Sequence, residues 1–375
     1  MVDQQPRDTL DLKRCPIRTL RLYTGPLDCL LQGLVMTARI DLRSDTVTQP
    51  TQAMRRTMAD AEVGDDVMGE DHSVNRLEAI SAERCGMEGA VFVPSGTQGN
   101  LAAMMAHCGR GEEVILGHDA HTYINEGGGI AVLGGVQPQV LEMDARGQMD
   151  LEAVVAAIKP DDPHHAVTRL LAQENTHHGA VVSREYLADA AALARRHGLG
   201  HHLDGARVFN ASVAENIEVG EILRYFDSVS FCLSKGLGAP VGSVVCGPRE
   251  LMKRVRRWRK VLGGGMRQAG ILAAAGIHAL EHHVARLADD HARARAMAEA
   301  LENLDGLSVR YTGTNMLFVT PPRERVAAIV EALADEGVTV KAAPTLRLVT
   351  HLDVPDEAVA VVRRGFERGL AAGAA

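Results

Sequence analysis

A few short polar stretches in this chain stand directly after apolar runs, where a fold can place them at the mouth of a sheet. Lys235 follows Ser228–Leu233 (SVSFCL) and precedes Gly236-Leu237-Gly238. Burial at such a point depresses an amine's pKa and makes it a Schiff-base nucleophile, whereas on a loop surface the same lysine would be a solvated cation. Asp204 ends His202-Leu203-Asp204, and the carboxyl end of a strand is where open α/β sheets receive ligands. Arg207, three positions on, could fork onto a carboxylate, or simply pair with an acid at its loop. Ser95-Gly96-Thr97 lies between an apolar strand and a helical run, so its backbone N–H groups make either an anion site or a plain turn. No Lys-Ser/Thr follows, which excludes a P-loop. An anion cradle, a strand-end acid and a strand-end lysine together meet the needs of pyridoxal 5'-phosphate. The lysine holds its aldehyde, the acid keeps its pyridine nitrogen protonated, and the cradle takes its phosphate.

Other patterns compete with these. Gly236-Leu237-Gly238 fails as a dinucleotide fingerprint, because Gly242 comes one position late and Pro240 interrupts the helix start. His278-Ala279-Leu280-Glu281-His282 matches the H-x-x-E-H peptidase pattern, but no third ligand accompanies it and no metal site is expected. His201-His202 and His164-His165 read as ordinary surface or loop histidines. The basic run Lys253–Lys260 reads as a solvated helix face or a nucleic-acid patch, and the formal charge of −8 with 3% aromatics argues against the latter. Six cysteines without a C-x-x-C pair suit free thiols in a reducing, cytoplasmic compartment, and no apolar run is long enough to span a membrane.

These groups need a scaffold. Strands are expected near Ala90–Pro94, Glu113–Leu116, Leu170–Gln173, His201–Leu203 and Ser228–Leu233, with helices at Val154–Ile158 and Tyr186–His197 between them. That alternation predicts an α/β body over 39–279 with a mostly parallel sheet. From residue 280 the pattern changes: Leu280, Val284 and Leu287 keep helical spacing, and strands (Met316–Thr320, Val338–Lys341, Leu346–His351) alternate with a helix at Glu324–Asp335 and a last one near Pro355. This reads as a smaller C-terminal α+β domain, 280–375. Residues 1–38 show no sustained period and read as a poorly ordered extension; a signal-like apolar stretch from Leu27 to Val35, or a true start at Met36, are the alternatives.

The motifs DLRSDTVTQPT (41–51), VGDDVMGED (63–71), PSGTQGN (94–100), ENTHHG (174–179), LDGARVFNA (203–211), CLSKGLGAPVGS (232–243), RRWRKVLGGGMRQAG (256–270) and RLVTHLDV (347–354) occur in this order. With them the chain resembles the low-specificity L-threonine aldolases among the fold-type I pyridoxal-phosphate enzymes, over about Ile40 to Asp353. The resemblance implies that fold and the retro-aldol cleavage of L-threonine, L-allo-threonine and other β-hydroxy-α-amino acids to glycine and an aldehyde. Another lyase or an aminotransferase of the same fold is the alternative. It implies Lys235 as the Schiff-base lysine, Asp204 as partner of the pyridine nitrogen, and Gly96 and Thr97 as phosphate ligands. His121 would stack on the ring and His177 would be a second active-site histidine. Ser44, Arg207 and Arg347 would bind the substrate carboxylate, with Arg207 also beside the cofactor. Lys260 and Arg267 would reach a neighbouring subunit's phosphate, which implies a dimer at least and a homotetramer as in the family. Met68 stands where the family commonly has Tyr, and Asn125 where a bulkier residue is frequent, so substrate preference is the feature these departures touch.

Overall fold

The computed structural model describes residues 39–372; the expected extension over 1–38 lies outside them. The strands, in chain order, are β1 (Ile40–Asp41), β2 (Gly89–Val93), β3 (Glu112–Gly117), β4 (Gln137–Leu141), β5 (Val167–Glu174), β6 (Gly200–Asp204), β7 (Ser228–Cys232), β8 (Ser243–Gly247), β9 (Ser308–Tyr311), β10 (Met316–Thr320), β11 (Val338–Thr339) and β12 (Leu346–Val349). Seven of them form the main sheet, in the order β2-β8-β7-β6-β5-β3-β4. Every neighbouring pair is parallel except those made by β8, which runs against both β2 and β7. Helices cover the sheet, and the inner strand β7 is buried at all five positions.

The carboxyl ends of β2, β3, β5, β6 and β7 share one edge of the sheet. The chain runs outward from β3 to β4 and returns at β5, so the strand order turns over between β3 and β5. A crevice at such a point is where this class of sheet takes ligands. A second, antiparallel sheet, β12-β10-β9, has its own core of Leu317, Val319, Leu346, Leu348, Val362 and Phe366.

Several sequence expectations are corrected. His201 and His202 are not surface groups: both are buried within β6. The helical spacing across Leu280, Val284 and Leu287 belongs to two helices, Gly270–His282 and Leu287–Glu302, with a break between them. Strand β11 is only two residues long, and β4, β8 and β9 were not anticipated. Ile40 and Leu42 lie in the C-terminal core, although sequence order joins them to the large body.

Candidate active site

Each strand end delivers one polar group to the crevice. After β2, Ser95 caps the helix Gly96–His107, its side chain accepting from Gln98 N at 3.2 Å. That leaves the first-turn N–H groups of Gly96 and Thr97 facing outward, where the helix dipole favours an anion. A side chain at 96 could not sit there, since its Cβ would lie 2.9 Å from Cys232 Sγ. At the last position of β6 stands Asp204, almost fully buried. Its Oδ1 accepts from Ala206 N at 3.1 Å and its Oδ2 from Asn100 Nδ2 at 2.9 Å. Burial pushes its carboxyl up to about 6, and the nearby Glu174 and Glu126 charges push the same way. Lys235, after β7, acts electrostatically on Asp204, His121 and Asp45.

After β3 comes His121. Its Nδ1 meets Glu126 Oε1 at 2.9 Å, and its backbone N–H donates to Glu174 Oε2 at 2.9 Å. The Glu126 bond is the main cause that holds its imidazolium above the ordinary range. His177, after β5, is buried, with Nδ1 3.4 Å from Glu174 Oε1 and Nε2 3.7 Å from Asp119 Oδ2. His178 takes Asp119 Oδ2 at 2.7 Å.

Two arginines, Arg207 and Arg347, lie near these groups and near each other. Arg207 forks onto Asp45 through two bonds of 2.8 and 2.6 Å, so the acid that engages it is Asp45, beside the expected Ser44. Burial alone would raise Asp45, but Arg207 and Lys235 outweigh it and hold the carboxyl at about 2. Ser44 Oγ accepts from Thr46 N at 3.2 Å. Arg347 donates to Arg43 O at 3.2 Å and forms no ion pair among the described residues. Burial and the neighbouring Arg207 both press its pKa down. A half-buried cation beside a second cation is a ready receptor for a carboxylate.

The residues expected in the site thus converge, except Lys260 and Arg267. Lys260 is exposed and packs by its stem on Gly265; Arg267 pairs with Asp65 at 2.9 Å. Among the described residues neither touches Lys235 or Asp204. The H-x-x-E-H pattern puts His278 and His282 with ring centroids 4.6 Å apart, but its Glu281 is taken by Arg76 at 2.9 Å. Met68 is exposed, as is Asn125. The residues that sequence reasoning passed over are Asp45, Asn100, Glu126 and Glu174. All but Glu126 stand inside motifs already singled out, and Glu126 follows His121 by five positions.

These features fit pyridoxal phosphate: an open helix N-terminus that only glycine permits, and a buried acid destabilised by two further acids until a cation stands beside it.

Similarities to known proteins bear on that fit. The beta-eliminating lyase family matches residues 41–322. The chain is 53% identical over 332 residues to the low specificity L-threonine aldolase of Escherichia coli K12, spanning 88% of this chain and 99% of that relative. It is 48% identical over 290 residues to low-specificity L-threonine aldolase 1 of Arabidopsis thaliana, spanning 75% of this chain and 80% of that one. Among solved structures, Leishmania major threonine aldolase superposes with a TM-score of 0.76 at 19% identity, over 88% of this chain and all 100% of that one. Sphingomonas wittichii serine palmitoyltransferase does so with a TM-score of 0.69 at 19% identity, over 88% of this chain and 87% of that one. The last two show the fold alone.

Proposed function

The chain belongs to the beta-eliminating lyase family and, within it, to the low-specificity L-threonine aldolases, and from that membership we propose that it cleaves L-threonine and related β-hydroxy-α-amino acids to glycine and an aldehyde. The observation that carries this reading is the gathering of Lys235, Asp204 and the 95–97 turn at the carboxyl ends of β7, β6 and β2, with Arg207 and Arg347 nearby.

Pyridoxal phosphate would be held by Lys235 through its amine, by Asp204 at the ring nitrogen, by Gly96 and Thr97 at the phosphate and by His121 against the ring face. When bound, it supplies an electron sink conjugated to the substrate's Cα. Arg347, with Arg207 and Ser44, fixes the substrate carboxylate. Held so, the substrate presents its Cα–Cβ bond, and not Cα–H, for cleavage. His121 or His177, or a water they hold, takes the β-hydroxyl proton. Glu126 and Glu174 orient the two imidazoles. Lys235 Nζ returns a proton at Cα.

Lys260 and Arg267 face outward, which supports their reaching a neighbouring subunit's phosphate in a dimer or homotetramer. The formal charge of −8 speaks against a nucleic-acid partner. Among the described residues no helix is long and apolar enough to cross a membrane, and free buried thiols at Cys85, Cys108, Cys232 and Cys246 suit the cytoplasm.

The test is direct. Purified protein should absorb visible light through its bound cofactor and release glycine and acetaldehyde from L-threonine. Lys235→Ala should lose both. Release of a keto acid instead would move the chain to an aminotransferase or another lyase. His121→Ala and His177→Ala, assayed separately for aldehyde release, assign the proton acceptor; full activity in both would remove histidine from that step.

A further inference from the structure

We propose that Asn100, His202, Ser228 and His107 form a one-way hydrogen-bond relay that positions the Asp204 carboxylate and locks the phosphate turn, Asp204 and Lys235 into one register. The inference rests on Asp204 serving the cofactor ring as argued above.

Its direction follows from counting hydrogens. Asn100 is buried, and its Nδ2 lies 2.9 Å from Asp204 Oδ2 and 3.0 Å from Glu126 Oε1. Two carboxylate acceptors consume both amide hydrogens. Asn100 Oδ1 must then accept, and what faces it is His202 Nε2 at 3.3 Å. His202 therefore carries its proton on Nε2. It is completely buried, which keeps the ring neutral, so Nδ1 is bare. Ser228 Oγ, 2.8 Å from Nδ1, has to donate to it. Having spent its only proton there, Ser228 Oγ can only accept from His107 Nε2, also 2.8 Å away. Burial keeps His107 neutral too, which fixes its proton on Nε2. Reversing any member would set donor against donor, or lone pair against lone pair, in a strip of which Asn100, His202 and Ser228 are buried.

The relay joins the elements of the site. Asn100 and His107 lie on the helix whose first turn is the phosphate cradle, and His107 ends it. His202 is two residues before Asp204 on β6; Ser228 begins β7, the strand that leads to Lys235. The room for His107 exists because residue 200 is glycine: a Cβ there would stand 2.7 Å from His107 Nδ1. These four are positioning residues. They touch no substrate, and their effect reaches the cofactor only through Asp204.

Neutron diffraction from cofactor-loaded crystals reads the proton positions. Deuterium is expected on Nε2 of both His202 and His107, with Nδ1 bare in both; deuterium on His202 Nδ1 overturns the relay. Variants supply a second readout in solution. His202→Leu removes the donor to Asn100 and should shift the visible band and speed cofactor loss on dialysis by on the order of tenfold, the worth of one buried hydrogen bond. His202→Gln, which can still donate, should restore the band and most of the retention. Equal behaviour of the two variants would mean that only ring shape matters, and would refute the relay. If the unmodified protein takes up no cofactor, the parent reading fails; proton positions in cofactor-free crystals then still decide the relay.

Discussion

At the residue scale the site is a contest between burial and pairing. Glu126 donates nothing and accepts twice, from His121 Nδ1 and from Asn100. Its hydrogen bond to Nδ1 is the main reason the His121 pKa is raised above its ordinary value, with burial opposing it. Glu126→Gln should therefore lower the His121 pKa, seen as an earlier midpoint in a ring NMR titration. If His121 is the base, it must be neutral to act, so the acidic limb of kcat/KM should move to lower pH; an unmoved ring midpoint contradicts the account. Arg347 poses the opposite case, a partly buried cation without an ion-pair partner among the described residues. Arg347→Leu should raise KM for L-threonine by about 10–100-fold with a smaller effect on kcat, the mark of binding shared by ground and transition states. Lys235 was legible in the sequence because it follows an apolar run, and Asp204 and Arg207 because they follow a short expected strand. Glu126 and Asn100 were not, because their roles depend on contacts 26 and 104 residues away in the chain.

Elements must approach closely for those contacts to form, and small or capping residues set the distance. Gly99 lets the Gly96–His107 helix lie on the sheet: a Cβ there would be 2.5 Å from Ser230 Oγ and 3.2 Å from Val245 Cγ2. Gly99→Ala should destabilise by ~1–3 kcal/mol through overpacking, and should disturb the phosphate turn three residues away. Asp71 is a junction rather than a spacer. Buried at the start of the helix His72–Cys85, it accepts from Val74 N at 3.0 Å, Gly64 N at 3.2 Å and Gly270 N at 2.8 Å. Asp71→Ala strands three backbone donors and should cost about 3 kcal/mol or more in denaturant unfolding; a loss under about 1 kcal/mol would show that water replaces it. The inner strands β5 and β7 were readable from their apolar residues, since parallel strands are buried on both faces. The edge strand β4, QPQVL, hides behind Pro138 and two glutamines, as edge strands do. Strand β8 sits in the glycine-rich stretch after Lys235, where turn residues mask its short apolar span. The burial of His201 and His202 was hidden by residue type. Each is accommodated by specific partners, Gln173 and the Tyr225 carbonyl for His201, Ser228 and Asn100 for His202.

Across the whole molecule, the segment 40–45 ties two cores together. Strand β1 pairs in parallel with β11, and Leu42 is fully buried in the C-terminal core, accepting from Val349 N at 3.0 Å. Three residues later Asp45 crosses to the large body, where it meets Arg207, while Asn315 of the smaller body donates to it at 3.3 Å. Leu42→Ala should cost about 2–5 kcal/mol by leaving a cavity. Asp45 gives a sharper test, because its contribution depends on pH. Its folded pKa, about 2, lies below its ordinary value of 3.8. The unfolded chain therefore binds the proton more readily, and stability falls as the solution is acidified. The contribution, ~2 kcal/mol from a shift of that size, is complete above about pH 4 and disappears as pH drops through 2. Asp45→Asn should be less stable at neutral pH by about 3–5 kcal/mol, since Arg207 is left buried and unpaired. Between pH 4 and 2 that variant should lose less further stability than the unmodified protein. Identical acid limbs in thermal unfolding of the two proteins would mean that Asp45 is not the group whose protonation releases the two cores from each other.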